Sequence, residues 1–201
     1  MTGVFETMFS PAARGAANII VANTEAVVTL QRSYTRYSGL GEQDGDWVNG
    51  IISSLEESIR LNTPAAIGEA FVTATALSMQ IHLHNMLHAN SSANAYSEGL
   101  ALQLKTMLEK PEQQLDPSLM LCCYLDSRFW QTTMGALAAS ESSTRDFFVS
   151  RLKRISAALT LRTWRDAELV LLRFFWIPSL YSDRASVLFA DILSSPEAQA
   201  Y

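Results

Sequence analysis

The three histidines of the chain all lie in one short stretch, QIHLHNMLH, at positions 82, 84 and 88. His84 and His88 are four residues apart, so a helix would place both imidazoles on one face, as helical zinc sites require. The acidic residue of the zinc-protease pattern is missing, because Asn85 follows His84, and His82 would point to another side of the helix. We therefore predict histidines at a solvated helix end and no metal site, and we keep His84 as a candidate ligand-binding residue.

Other groups that could do chemistry lack the surroundings that catalysis needs. Neighbouring carboxylates such as Glu56 and Glu57 lie in polar sequence, which is typical of a solvated surface. Cys122 and Cys123 lie in an apolar run, LMLCCYL, where a thiol is an inert small hydrophobe. The glycine-rich loops that bind phosphates and the GxSxG turn of serine hydrolases are absent from the sequence. We therefore predict no cofactor.

Three tryptophans, Trp130, Trp164 and Trp176, are candidate ligand-binding residues. The indole combines a large apolar ring with one N–H donor, which suits a protein core and an apolar pocket equally well, and both interpretations stay open. The charged fraction of 17% is below the roughly 25% of an average domain, which favours a pocket or an apolar partner surface. Ionisable residues in apolar segments complete the candidate set: Tyr124, Asp126, Arg128 and Arg173.

The bulk composition excludes several functional classes. With 201 residues, of which 48% are hydrophobic, the chain can form a core of its own, and we expect one helical domain over residues 1–201. The net charge of −5 argues against direct nucleic-acid binding. No secretory signal pattern opens the chain, and no apolar run reaches the roughly 20 residues of a membrane helix. We therefore expect a nuclear or cytoplasmic protein that contacts neither nucleic acid nor membrane.

Signals for helix starts and stops recur along the chain, whereas strand patterns are nearly absent. Prolines at positions 11, 64 and 117 follow Ser, Thr or Asp, and the glycine-rich stretch 38–46 marks a loop. The sequence therefore predicts an all-α fold, a multi-helix array of about eight helices. Their approximate predicted ranges are 11–37, 46–60, 64–88, 95–109, 117–139, 145–159, 163–176 and 183–193.

The stretch LVLLRFFW, residues 169–176, contains one polar residue, Arg173, which needs an outlet to solvent or a carboxylate partner. A helix that is apolar on nearly all sides belongs in a core or at an interface, and we predict a core position. A short connection favours packing on the preceding helix. The predicted contact joins Trp164, Leu171 and Phe175 to Phe148, Leu152 and Ile155.

Residues 127–193 carry an ordered set of short motifs. A small-residue helix end at 135–139 is followed by Arg-Asp-Phe-Phe at 145–148, Thr-Trp at 163–164 and LLRFFW at 171–176. In order and spacing this segment resembles the C-terminal part of the regulatory domain of fungal zinc-binuclear-cluster transcription factors. Residues 1–126 match only as apolar helices. The cysteine-rich DNA-binding module of that family is absent from this sequence, and Val187-Leu188-Phe189 stands where a tryptophan is often found.

The resemblance implies a regulatory or interaction domain without its own DNA-binding module, with a protein partner or a second copy as its binding partner. An alternative stays open, in which a secondary-metabolism protein on the same scaffold binds an apolar small molecule and acts as a cyclase or isomerase. The two hypotheses differ in what the ionisable candidates do. An enzyme is favoured if these candidates converge on one interior space, and a regulator is favoured if they are exposed or paired. The candidates are His84, Tyr124, Asp126, Arg128 and Arg173.

Overall fold

The computed structural model describes residues 69–87, 95–110, 123–174 and 176–193. These residues form six helices: α1 (Glu69–Leu87), α2 (Ala95–Glu109), α3 (Cys123–Ala138), α4 (Ser142–Ala158), α5 (Trp164–Leu171) and α6 (Pro178–Leu193). None of them lies in a strand, so the all-α class is confirmed for this part of the chain. None of the helices described is long and apolar enough to cross a membrane. The helices predicted at 11–37 and 46–60 lie outside the described residues.

Helix α3 is the centre of the array, because it packs against each of the other five helices. Every side chain from Asp126 to Ala138 is buried. Several of these residues are polar, and the helix itself satisfies two of them: the Thr132 and Thr133 hydroxyls donate to the carbonyls of Arg128 and Phe129. Intrahelical bonds of this kind allow polar residues to enter a core without leaving unpaired groups.

Helix α4 lies close to α3 because a glycine faces it. A Cβ atom built on Gly135 would overlap the ring of Phe148, so the absence of a side chain there lets the two helices approach. Phe148, Leu152 and Ile155 form the buried face of α4, as the sequence predicted. The helix begins at Ser142, three residues before the predicted start, because the Ser-Ser-Thr segment forms its first turn rather than a loop.

Helix α5 begins as predicted but ends early. Thr163 and Asp166 form a reciprocal capping box at its start. The predicted end at residue 176 is wrong, since the helix stops at Leu171 and the chain then tightens, with Phe174 N–H donating to the Leu171 carbonyl. Pro178 lies too far along the chain to set this end, but it disfavours helical geometry at the residue before it and opens α6, five residues before the predicted start.

The predicted packing of α5 is also wrong. Its main neighbours are α3 and α6, not the preceding helix α4. The connection from α4 contains Thr160, whose φ of 56° lies in the left-handed region. The apolar stretch is only partly core: Val170, Leu171 and Trp176 are buried, whereas Leu169 and Leu172 are exposed. Phe175 lies outside the described residues.

Candidate functional site

A buried arginine joins α3 to α1. Arg128 is 4% exposed, and it donates from Nε to the Tyr124 hydroxyl over 2.8 Å and from Nη1 to Oε1 of Gln131 over 3.0 Å. The Gln131 amide in turn donates to the Thr75 hydroxyl of α1 over 2.8 Å. The guanidinium lies 5.0 Å from the ring centres of both Phe71 and Tyr124. We call these five residues the arginine cluster.

The arginine cluster holds a permanent positive charge inside the protein. A guanidinium stays protonated in proteins, so burial requires compensation by acceptors and by aromatic ring faces. A desolvated cation–π contact contributes about 2 kcal/mol, and the cluster has two such contacts. Two of the guanidinium donors are already engaged with Tyr124 and Gln131. This geometry favours fixing α1 against α3 over binding a substrate.

A second candidate pair links α3 to the chain after α5. Nη1 of Arg173 lies 2.6 Å from Oδ2 of Asp126. The aspartate is buried, whereas the arginine side chain is 65% exposed. Burial raises the pKa of the Asp126 carboxyl, and the charge and hydrogen bond of Arg173 only partly oppose this, so the pKa stays above its ordinary value. Arg173 therefore has both of the partners that the sequence predicted for a cation in an apolar stretch, namely solvent and a carboxylate.

His82 is a buried residue that sequence reasoning missed. The prediction that the histidines sit at a solvated helix end is wrong for His82, which is fully buried, with Nδ1 at 2.8 Å from the Tyr181 hydroxyl of α6. Burial lowers the pKa of His82 to about 4. Burial also raises the pKa of Tyr181, against smaller opposing effects of Asn85 and Arg184. Both side chains are therefore neutral near pH 7.

One signal in the sequence could have revealed this position. Ala74, Ser78 and His82 follow one another at four-residue spacing, so they share one face of α1. All three are completely buried, and the Ser78 hydroxyl donates to the Ala74 carbonyl. A face of small residues ending in one imidazole is the pattern of a close helix contact, not of a solvated end.

His84 lies apart from that contact. It is partly exposed, and its ring centre lies 5.0 Å from that of Tyr96 on α2. His88, the partner of the zinc-type spacing, lies outside the described residues. Within the described ranges, no three His, Cys, Asp or Glu side chains are grouped so that they could hold a metal ion.

The candidate tryptophans fall into two places. Trp164 and Trp176 have ring centres 6.3 Å apart, and Trp176 continues to Tyr181 at 4.9 Å. Trp130 instead stacks on Phe174 at 5.8 Å. The Trp176 indole N–H is buried and has no hydrogen-bond acceptor in the part of the chain that the structure describes. The Trp164–Trp176–Tyr181 row is therefore a largely interior aromatic cluster, and its Trp176 indole donor has no acceptor among the described residues.

The ionisable candidates thus belong to separate local pairs. Tyr124 and Arg128 bond to each other, Asp126 bonds to Arg173, and His84 lies against Tyr96. A general acid or base must be able to reach a substrate with its proton-transferring group. Pairs whose polar atoms are already engaged inside the fold are better suited to holding helices together.

Sequence reasoning also missed the carboxylate that caps α4. Oε2 of Glu98, on α2, accepts hydrogen bonds from the Ser140 N–H and hydroxyl and from the Glu141 N–H. Burial raises the pKa of the Glu98 carboxyl, but these hydrogen bonds outweigh that effect and the pKa is lowered. No sequence signal identifies this contact, because the residues it joins are 42 and 43 positions apart.

Comparisons of the chain with protein-family models, with curated proteins and with solved structures found no match. Its function is therefore inferred from its own residues and their arrangement.

Proposed function

We propose that this chain is a regulatory or protein-interaction domain of the type found in fungal zinc-binuclear-cluster transcription factors, acting without a DNA-binding module of its own. The observation that carries the proposal is the pairing of the ionisable candidates. They form two separate pairs: Tyr124 with Arg128 along α3, and Asp126 of α3 with Arg173 after α5. Side chains whose polar atoms already bond to each other are better suited to holding a scaffold together than to catalysis. Such a scaffold can present a surface to a partner protein.

The arrangement of the motifs adds support. The described residues of 127–193, the segment that carries the resemblance, include four consecutive helices, from within α3 to the end of α6. The Arg-Asp-Phe-Phe motif lies on α4, with Phe148 buried and Arg145 exposed, and the Thr-Trp motif opens α5. Each motif therefore has a position in the packing that its residue types explain.

A tethering experiment tests this function. The full chain is fused to a heterologous DNA-binding module and expressed in yeast with a reporter gene under the matching sites. We expect reporter output to differ from that of the module alone at equal nuclear abundance. The matched control is a fusion carrying Phe148→Asp, which places a charge in the core and should abolish the effect. Unchanged reporter output from a folded, nuclear fusion contradicts the proposal.

A second candidate function rests on the Trp176 indole. Its buried N–H lacks an acceptor among the described residues and borders Trp164 and Tyr181. A carbonyl oxygen on an apolar small molecule would satisfy this donor, as expected for a protein of secondary metabolism that binds or isomerises such a compound. The test measures thermal stabilisation by a panel of apolar ketones. If a ketone raises the melting temperature of the wild type but not that of Trp176→Phe, the result favours this function. If both proteins show the same change in melting temperature, the result excludes it.

A further inference from the structure

One face of α5 and the turn after it is exposed and carries leucines beside arginines. Leu169 is 48% and Leu172 46% exposed, and the side chains of Arg165 and Arg173 are 74% and 65% exposed. Arg162, just before the helix, is exposed as well. At about 100° per residue, Arg165, Leu169 and Leu172 fall within roughly 60° of arc, since Leu172 N–H still bonds to the Glu168 carbonyl, and Arg173 follows in the turn. We call these five residues the leucine–arginine stripe.

The stripe lies opposite the core-facing side of the same helix. Ala167, Val170 and Leu171 are the buried residues of α5, and helical geometry places them on the far side from Leu169 and Leu172. Among the described residues, the buried core therefore does not include these two leucines. Apolar side chains grouped on an exposed helix face, and rimmed by charge, are typical of a binding surface.

The charges that the stripe exposes most are positive, although the chain carries a net charge of −5. The side chains of Arg165 and Arg173 are far more exposed than those of Glu168 and Asp126, which are 16% and 8% exposed. Three carboxylates that contact stripe residues also have hydrogen-bond donors within the domain: Asp126 accepts from Arg173, Asp166 from Thr163, and Glu168 from Ser182. The pair between Arg165 and Glu168 is long, at 3.7 Å, and adds little at an exposed site. Each guanidinium has five N–H donors, and the contacts with Glu168 and Asp126 engage one nitrogen each of Arg165 and Arg173, so these side chains have further donors to offer a partner.

We propose that the leucine–arginine stripe binds an amphipathic helix of a partner protein, with apolar residues seated on Leu169 and Leu172 and carboxylates paired with the arginines. A helix in this position would bury the two leucines and give Arg162, Arg165 and Arg173 charge-assisted hydrogen bonds. The inference rests on the proposed function, because an interaction domain requires such a surface.

Two other occupants fit the surface less well. A second copy docked stripe to stripe about a two-fold axis would bring arginines against arginines. Duplex DNA would match the arginines but not the two central leucines, and it would be repelled by the net negative charge of the protein. An acidic amphipathic helix complements both properties of the stripe.

The test uses the full chain and a fluorescein-labelled synthetic helix of roughly 15 residues, with leucine and phenylalanine on one face and glutamate beside them. The reference peptide has every glutamate replaced by lysine. Fluorescence anisotropy should detect binding of the acidic peptide, weakening as salt is raised, and no binding of the lysine peptide. The L169S/L172S double variant should weaken binding about tenfold or more, and R165E should weaken it as well.

The matched control is Leu102→Ser on α2, because Leu102 is 53% exposed and lies on a different helix. This variant should bind the acidic peptide like the wild type, and all variants should melt like the wild type since the changed residues are exposed. Equal binding of both peptides, or unchanged binding by L169S/L172S, overturns the proposal. Self-association of the wild type that the same double variant abolishes also overturns it, because a second copy then occupies the stripe.

The reporter experiment separates this inference from the proposed function. Suppose that the reporter responds equally to the wild-type and L169S/L172S fusions, and that the wild-type chain does not bind the peptide. This result overturns the proposal that the stripe binds a partner helix, but it leaves the regulatory function standing. Suppose instead that the peptide binds through the stripe, but the reporter does not respond to the wild-type fusion. This result supports the stripe as a binding surface and contradicts the regulatory function.

Discussion

The imidazole of His82 lies in the interior against the Tyr181 hydroxyl, and burial lowers its pKa from 6.5 to about 4. Below pH 6.5 the unfolded chain binds a proton at this site that the folded chain does not bind until the pH approaches 4. The free energy of unfolding should therefore fall as the pH drops through this window, by about 3 kcal/mol in total. Urea denaturation at several pH values between 7 and 4 measures the loss.

The matched variant is His82→Asn, which retains hydrogen-bonding capacity and removes the titrating group. Its stability at pH 7 will be lower than that of the wild type, so the informative quantity is the slope against pH. We expect a shallower slope in the variant between pH 6.5 and 4. Equal slopes would mean that His82 titrates alike in the folded and unfolded chains.

The Asp126–Arg173 pair gives a prediction of the opposite sign. Burial holds the pKa of the Asp126 carboxyl above its ordinary value, so near pH 7 the ionised form reduces stability, and the loss is relieved as the pH falls towards 4. Asp126→Asn should therefore raise the free energy of unfolding at pH 7. Chemical denaturation of both proteins at pH 7 and pH 4 measures the difference, which should shrink at the lower pH.

The reciprocal change in that pair should be harmful. Arg173→Gln leaves the buried Asp126 carboxylate without its cation. The free energy of unfolding should fall by an amount between the roughly 1 kcal/mol of an exposed ion pair and the roughly 3 kcal/mol of a buried one. Arg173 is itself mostly exposed, so its own loss of packing is small. If Asp126→Asn instead lowers stability as much as Arg173→Gln does, the attraction in the pair exceeds the cost of burying the carboxylate.

Part of the candidate site was predictable at the level of single residues. The need of Arg173 for a carboxylate or an outlet follows from one cation in an apolar stretch, and Asp126 and solvent provide both. The identity of that partner was not predictable, because the two residues lie 47 positions apart. His82 was misassigned because an imidazole between apolar residues can lie either at a solvated helix end or in a contact between helices. Only the packing of α1 against its neighbours distinguishes the two positions.

At the scale of elements, the end of α4 contains a strained residue. Thr160 N–H donates to the Ala157 carbonyl and Leu161 N–H to the Ser156 carbonyl, which is the Schellman arrangement, and Thr160 has a φ of 56°. A β-branched residue is strained there, whereas glycine is not. Thr160→Gly should therefore raise the free energy of unfolding by about 1 kcal/mol.

Thermal denaturation of the Thr160→Gly variant measures this gain. Thr160 is exposed, so the substitution removes no core contact. Ala158→Gly is the matched control, because Ala158 is exposed two residues earlier and still helical, where glycine should lower stability. A lower melting temperature for Thr160→Gly would show that the flexibility of glycine in the unfolded chain outweighs the relieved strain.

The elements differ in how far sequence defines them. The range of α2, Ala95–Glu109, agrees with the prediction because a cap-rich loop and a proline bound it locally. The end of α5 was wrong, because apolar residues continue past Leu171 while the chain turns to reach Pro178. The central position of α3 was not predicted either, since its threonines suggest a surface until their intrahelical hydrogen bonds are known.

At the scale of the whole molecule, charge governs what the protein can approach. The net charge of −5 repels the phosphate backbone, and the exposed arginines of α5 are few. We expect no binding to duplex DNA at protein concentrations up to about 10 µM at physiological salt. Anisotropy of a labelled duplex, titrated at several salt concentrations, measures this. Tight binding that weakens steeply with added salt would contradict the expectation.

The contact between His82 and Tyr181 also bears on the order of folding. Helices α1 and α2, and helices α3 and α4, are chain neighbours that pack together, so each pair closes a short loop. Tyr181 returns to α1 across 99 positions, and such a contact forms only after more chain entropy has been lost. Docking of α6 on α1 should then follow the folding transition state. Tyr181→Phe would accordingly speed unfolding in stopped-flow experiments and leave the refolding rate nearly unchanged.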